Sequence, residues 1–292
     1  LSAALQLARA RRKILLVDAG EPRNRTSPAA HGFLGQDGVA PGEIMREGLR
    51  QLAAYPTVDF FHGLARTARS EPDGLRLALE SGDEIFGRQL VLATGVTDTL
   101  LLPSMVQRWG VSVLHCPYCH GYEVRDQKLA IVSGNPASVH QAMMLPDWGP
   151  TTLFTQGLFD PTAEDAEILQ ARDVRIERTP VVELLGEGTA TRAPRLADGR
   201  EVEAEAVFTA PVTRISSPLA EQLGCAFVDG MTGPFLQVDD IKQTTVERVF
   251  AAGDAAQPMH NATLASAAGV MAGIGAHRAL MLEDAKRART AR

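Results

Sequence analysis

Four stretches of this sequence are nearly continuous apolar runs of strand length: KILLVDAG (13–20), RQLVLATGV (88–96), QKLAIVSG (127–134) and RVFAAGD (248–254). A strand with one face in water alternates apolar and polar residues, so an unbroken run reads as a strand buried on both faces, the habit of parallel sheets. Helical and turn signals alternate with these runs. LSAALQLARARR places Leu1, Ala4, Leu5 and Ala8 on one helix face, a helix is predicted from about Gly42 to Ala54, and a closing helix from about Ala262 to Leu282. LRLALESGDEI, with its turn at Ser81 and Gly82, and the stretch Val181 to Val202 read as hairpins. With 292 residues the chain has room for two domains, and the order of elements reads as one α/β domain interrupted by another.

The first run carries a chemical suggestion. A helix, a buried strand and a terminal acid, Asp18, form the second half of a dinucleotide-binding βαβ unit, in which the acid receives the ribose hydroxyls of an adenine dinucleotide. The glycine fingerprint of such a unit belongs about 20 residues before the acid, and only 17 residues precede Asp18. The expectation is therefore that the first strand and glycine loop fall before Leu1, and that the chain without them binds its dinucleotide poorly. An ordinary α/β unit with a solvated aspartate is the alternative reading of these residues alone.

Composition excludes several classes. The formal net charge of −6 argues against a nucleic-acid surface or a polybasic membrane surface. No apolar run is long enough to span a bilayer, and Arg11, Arg12 and Lys13 follow an amphipathic stretch that does not resemble a signal peptide. Three cysteines in the whole chain cannot form a disulfide scaffold and suit a reducing cytoplasm.

Two of those cysteines, Cys116 and Cys119, stand in HCPYCHGYE with His115 and His120 on either side. The pattern formally matches haem attachment, which requires export and axial ligands, and nothing here signals either. Zinc asks for four ligands, and no second C-x-x-C or H-x-x-H exists to complete a set, so no metal site is expected. A glutaredoxin-type dithiol opens a helix in a small domain, whereas here GYEVRDQKLAIV leads through a turn into a strand. A redox dithiol in an α/β setting is the preferred reading. His115 and Cys225 read as structural residues.

Taken in order, VDAGEPRN, LVLATG, CPYCHGYEVRDQ and VFAAGDAA resemble the low-molecular-weight thioredoxin reductases and their flavoprotein relatives, over nearly the whole chain. The similarity is greatest to the branch that carries CPYCHG(Y/W)E, which includes bacterial FAD-dependent oxidoreductases and fungal dithiol oxidases. The resemblance implies two Rossmann-like three-layer dinucleotide-binding domains, the second inserted in the first. Residues 1–112 and 213–292 would make the FAD domain, and 113–212 a pyridine-nucleotide-like domain carrying the dithiol. It further implies that Asp18, with Ala19 and Asn24 of the same segment, meets the adenosine part of FAD. Thr94 and Gly95 would line the flavin path, and Gly253 and Asp254 would bind the ribitol chain. His260, Asn261 and Ala262 would face the flavin pyrimidine edge, where a helix N-terminus stabilises negative charge. Cys119 would be the flavin-facing sulfur and Cys116 the outer one that meets substrate. His120 is the candidate acid/base, since an imidazole exchanges protons with thiols near neutral pH. Thioredoxin reductases proper carry an aspartate there, and Glu123 is expected to orient His120 or share its role. A homodimer is implied by resemblance alone.

The resemblance breaks at the nucleotide turn of the inserted domain. VSGNPASVHQA has Ser133, Asn135 and Ser138 where glycine, glycine and alanine are expected, so close approach of a pyrophosphate is doubtful, although Asn135 could adopt a left-handed conformation. The following strand ends LFTQG, with no arginine for a 2′-phosphate before Arg172. NAD(P)H use is therefore left open. The leading expectation is an FAD-dependent enzyme passing two electrons between flavin and an external dithiol or disulfide, either a small molecule or a thioredoxin-like protein, through Cys116 and Cys119. A conventional NAD(P)H-dependent disulfide reductase and a non-catalytic flavin-dependent redox sensor are the alternatives.

Overall fold

The computed structural model describes residues 1–291. They separate into two compact units, one made of Leu1–Arg23, Gly42–Thr97 and Arg214–Arg292, the other of Asn24–Pro41 and Asp98–Thr213. The chain enters and leaves the second unit from the first, and the loop that follows the VDAG strand groups with the second.

The second unit is built on a five-stranded, all-parallel sheet. Across the sheet the strands run Arg175–Glu177, Thr151–Phe154, Leu129–Val132, Ala206–Phe208 and Val113–Leu114. All four residues of the central strand are buried. Side chains alternate between faces along a strand, so Leu129 and Ile131 enter one core with Val139, Ala142, Leu145 and Leu169. Ala130 and Val132 enter the opposite core with Met105, Val181, Leu184 and Leu196. The first core is covered by the helices Ser138–Met144 and Ala163–Ala171. The second is covered by the hairpin Val181–Leu185/Ala193–Leu196 and the short helix Pro103–Val106. Two covered faces are the physical reason for the unbroken apolar run.

The first unit holds two parallel strand pairs. Ile14–Asp18 runs alongside Val58–His62, and Val249–Ala251 alongside Leu90–Leu92. Among the described residues no strand hydrogen-bonds to both pairs. A three-stranded antiparallel meander, Ala65–Glu71, Gly74–Leu79 and Glu84–Gly87, contains the expected hairpin, with Gly82 in the left-handed region at φ 92°. The predicted helix at 42–54 is found at Pro41–Ala53.

The closing helix runs from Ala262 to Thr290, well past the predicted end at Leu282. Its last turns are polar, and side-chain pairs hold them in place. Arg88 donates to Glu283 (3.2 Å) and Asp284 (2.7 Å), Arg12 donates to Asp284 (2.8 Å), and Arg287 reaches Asp73 (3.4 Å). Those partners lie far away in sequence, so local periodicity could not reveal them. Nearer the middle of the helix, Gly273 lets the N-terminal helix Ser2–Arg9 approach closely, because a β-carbon there would meet the Ala3 carbonyl at 2.7 Å.

Candidate active site

Cys116 follows the edge strand Val113–Leu114 of the parallel sheet, at its C-terminal end, where ligands of open α/β sheets bind. It stands in extended conformation as the N-cap of a single helical turn, Pro117–His120. Proline is favoured there because its fixed φ suits a first turn and its missing N–H would have had no helical partner. The N–H groups of Cys119 and His120 both donate to the Cys116 carbonyl (3.2 Å each), which draws the two cysteines together. They form a disulfide, with their Cα atoms 5.2 Å apart. The dithiol does open a helical turn, but Gly121 ends it and the chain returns to the sheet at Leu129.

Gly121 is buried because Trp148 lies against it. A β-carbon at Gly121 would stand 2.6 Å from the Pro117 carbonyl and 2.8 Å from Trp148 Cδ2. Trp148 also meets Tyr118 edge-on at 5.8 Å between ring centres. Tyr118 and Tyr122, which flank Cys119 and His120 in the sequence, are exposed. On the sheet side, Gln141 of the helix Ser138–Met144 donates to the His115 carbonyl, steadying the residue before the pair.

His120 is partly buried, and that burial holds its pKa below the ordinary 6.5. Glu123 pushes it up and a second imidazole, that of His31, pushes it down. The His31 ring lies edge-on to His120, 6.3 Å between centres, with Nε2 3.5 Å from Glu123 Oε1. Sequence reasoning brought His120 and Glu123 together but missed His31, which lies in the loop PAAHGFLGQDG where no spacing or periodicity marks it.

The nucleotide turn leaves the C-terminal end of the central strand. Asn135 is absent from the left-handed residues, since the following proline drives its backbone toward extended conformations. Its side chain instead accepts from the Ala137 N–H (3.0 Å), Ser133 Oγ accepts from the Asn135 N–H (3.0 Å), and Ser138 Oγ donates to the Asn135 carbonyl (2.7 Å). In LFTQG, buried Gln156 is engaged on both sides by the backbone of Val181.

In the first unit Asp18 ends its strand and accepts from the Gly20 N–H at 3.0 Å. Asp254 follows the strand Val249–Ala251 and is paired with Arg23 at 3.1 Å. Gly95 and Gly253 have φ of 66° and 73°, conformations that disfavour any side chain. Asn261 caps the closing helix, accepting from the N–H groups of Thr263 (2.8 Å) and Leu264 (3.3 Å). These residues fit a dinucleotide: acids at the C-terminal ends of parallel strands, glycine turns beside them, and a 29-residue helix whose N-terminus favours negative charge. Nearby, the buried Gln257 Nε2 has no hydrogen-bond partner within the protein, as a donor facing a ligand would. Ala19, Asn24, Thr94, His260 and Ala262 lie in the same sequence segments, and Asn24 is grouped with the second unit.

Among the described residues, no group of three or more His, Cys, Asp or Glu side chains is arranged to hold a metal ion, and no helix is long and apolar enough to cross a membrane. Cys225 is a free, buried thiol near Thr244, and burial pushes its pKa up.

Residues 1–269 match the family model described as pyridine nucleotide-disulphide oxidoreductase. The chain is similar to the thioredoxin reductase tcpT of Claviceps purpurea (strain 20.1), 29% identical, over 94% of this chain and 88% of that one. It is equally similar to the thioredoxin reductase sirT of Leptosphaeria maculans, 29% identical, over 94% and 89%. Among solved structures it resembles the oxidoreductase from Agrobacterium tumefaciens, with a TM-score of 0.91 and 45% identity over 96% of this chain and 94% of that one. With its two Rossmann-like domains and its Cys116–Cys119 pair, the chain belongs to the pyridine nucleotide-disulphide oxidoreductase family and is an FAD-dependent thiol–disulfide oxidoreductase of the thioredoxin reductase type.

Proposed function

We propose that the enzyme takes two electrons from an external dithiol, through Cys116 and Cys119, and passes them by way of flavin to oxygen. The observation that carries this direction is the filled nucleotide turn. A pyrophosphate needs free N–H groups at a strand–helix turn, and here Ser133 and Asn135 already satisfy two of them from within.

In this reading Cys116 is the sulfur attacked by substrate and Cys119 the one that exchanges electrons with flavin. His120 takes the thiol proton, since a partly buried imidazole held neutral at pH 7 is a ready base, and Glu123 steadies the imidazolium that results. Tyr118 and Tyr122 offer aromatic surface to a small dithiol or to a thioredoxin-like protein. FAD would be held by Asp18, Ala19 and Asn24 at its adenosine end, by Thr94, Gly95, Gly253 and Asp254 along its middle, and by His260, Asn261 and Ala262 at the flavin. Bound flavin supplies a two-electron acceptor that oxygen can reoxidise. The FAD domain is assigned to Leu1–Arg23, Gly42–Thr97 and Arg214–Arg292, and the inserted domain to Asp98–Thr213. This moves the expected first boundary from 112 to 97, because the helix Pro103–Val106 packs in the core of the second unit. A cytoplasmic homodimer completes the proposal, with three cysteines and one buried free thiol suited to a reducing compartment.

A second reading, an NAD(P)H-dependent reductase, is favoured by the complete five-stranded parallel sheet, whose central strand still ends in a turn and a helix. Anaerobic bleaching of the flavin separates the two. Bleaching by dithiothreitol alone, with recovery in air, is the expected result. Bleaching by NADH or NADPH at micromolar concentration would replace the oxidase reading with the reductase one. Cys116→Ser and Cys119→Ser should each abolish thiol turnover, and full activity in both would end either reading.

A further inference from the structure

We propose that His31 is a positioning residue for the dithiol chemistry, holding Glu123 and His120 from outside and linking them to solvent through Asp37. The proposal rests on the acid–base role given above to His120.

His31 sits at the neck of a closed loop. The Ala30 N–H donates to the Val39 carbonyl (2.8 Å) and the Gly38 N–H to the Ala30 carbonyl (2.9 Å), so the loop returns on itself next to the imidazole. Both ring nitrogens face carboxylates: Nε2 is 3.5 Å from Glu123 Oε1, and Nδ1 is 3.6 Å from Asp37 Oδ1. Asp37 is itself oriented by the Gly32 N–H at 2.8 Å. The His31 side chain is 20% exposed, less than the Glu123 and Asp37 carboxylates that bracket it, at 38% and 69%. An unplanned surface histidine has no reason to be bracketed by two carboxylates while presenting its ring edge-on to a second, partly buried imidazole. At these separations a proton crosses through one water or after a small closure.

The chemistry releases protons that such a path would carry. A substrate thiol gives its proton to His120, its sulfur bonds to Cys116 Sγ, and the Cys116–Cys119 bond breaks with its electron pair on Cys119. The second substrate thiol then bonds to the first sulfur and leaves the electron pair of the mixed disulfide on Cys116. The substrate has lost two electrons and two protons, and the protein disulfide has gained both electrons. His120 alone can hold one of the two protons. Passing it along Glu123 and His31 to Asp37 and water restores a neutral His120 for the second. The charges that act on His120 are those of Glu123 from its own turn and His31 from the loop packed against it. A positive charge on His31 discourages a second one on His120.

The test is an NMR titration of 13C-labelled histidines in the flavin-loaded protein, as wild type, His31→Asn and Glu123→Gln, with His31→Gln as a second variant should asparagine disturb the loop. Beside it, the pH dependence of Cys116–Cys119 reduction by dithiothreitol is followed by thiol alkylation. Loss of His31 should raise the His120 midpoint, and loss of Glu123 should lower it. The acid limb of the reduction rate in His31→Asn should move to higher pH by the same amount, giving a several-fold loss at about pH 6 that closes on the alkaline side. A His120 midpoint unchanged in both His31 variants overturns the proposal, as does a uniform loss of rate at every pH. His120→Ala distinguishes the two levels: if it is slow, the acid–base reading stands whatever His31 does, and if it reacts at the wild-type rate, that reading falls as well.

Discussion

Gly121→Ala adds one methyl group at the point where the dithiol turn meets the rest of its unit. The new carbon would stand 2.6 Å from the Pro117 carbonyl oxygen and 2.8 and 2.9 Å from Trp148 Cδ2 and Cε2. The carbonyl cannot yield freely, because it accepts the Gly121 N–H at 2.7 Å and belongs to the turn that begins at Cys116. Trp148 is held as well. Its N–H donates to the Leu145 carbonyl (2.9 Å), its carbonyl accepts from Asp126 (2.7 Å), and its ring meets Tyr118. Overpacking of this kind costs about 1–3 kcal/mol, and losing the Gly121 hydrogen bond adds roughly 0.5–1.5 kcal/mol. At about 2–4 °C per kcal/mol, the thermal midpoint should fall by roughly 3–18 °C. Calorimetry on the oxidised protein measures this, and alkylation after a dithiothreitol pulse should show faster opening of Cys116–Cys119. Gly42→Ala is the control: its β-carbon would meet Arg46 Nη1 at an ordinary 3.7 Å within a helix, so its midpoint should hold or rise slightly. If Gly121→Ala melts with the wild type, the turn is free to move and the close-approach argument is wrong.

Two further predictions concern stability. Glu177 accepts from the Thr179 backbone and from Arg200, and these hold its pKa at about 2, below the ordinary 4.5. Its stabilisation is therefore present above pH 4.5 and lost as the pH falls toward 2. Arg200→Gln should move the acid-unfolding midpoint upward, while at neutral pH it costs no more than about 1 kcal/mol; superimposable acid titrations by circular dichroism would refute this. Asn261→Ala should cost about 1 kcal/mol through loss of the helix cap, and Asn261→Gly only a few tenths. Equal melting points for those two variants would show that the cap contributes nothing.

The fold was legible to different depths in its two units. KLAIV could be read as a strand buried on both faces, because a continuous apolar run has few other homes, and its residues alternate between two cores. The closing helix was cut short at Leu282 because its last turns carry no apolar stripe, and what holds them is Arg88 and Arg12, distant in sequence. At the candidate site, the spacing of Cys116 and Cys119 announced a dithiol, and their neighbours His120 and Glu123 could be named by position. His31 could not, because loop residues have no period to betray them.

By its own pattern, the sequence determined an α/β chain with a redox dithiol set between strands. Apolar continuity, glycine and acid at strand ends, and the C-x-x-C spacing are local facts that act within a few residues. Tertiary structure alone decided that a loop histidine comes to bracket Glu123 from outside, that Trp148 closes on Gly121, and that Asn135 turns inward to satisfy Ala137. In each of these a side chain's role depends on which groups folding leaves within about 3–4 Å of it, the range over which hydrogen bonds and contacts act.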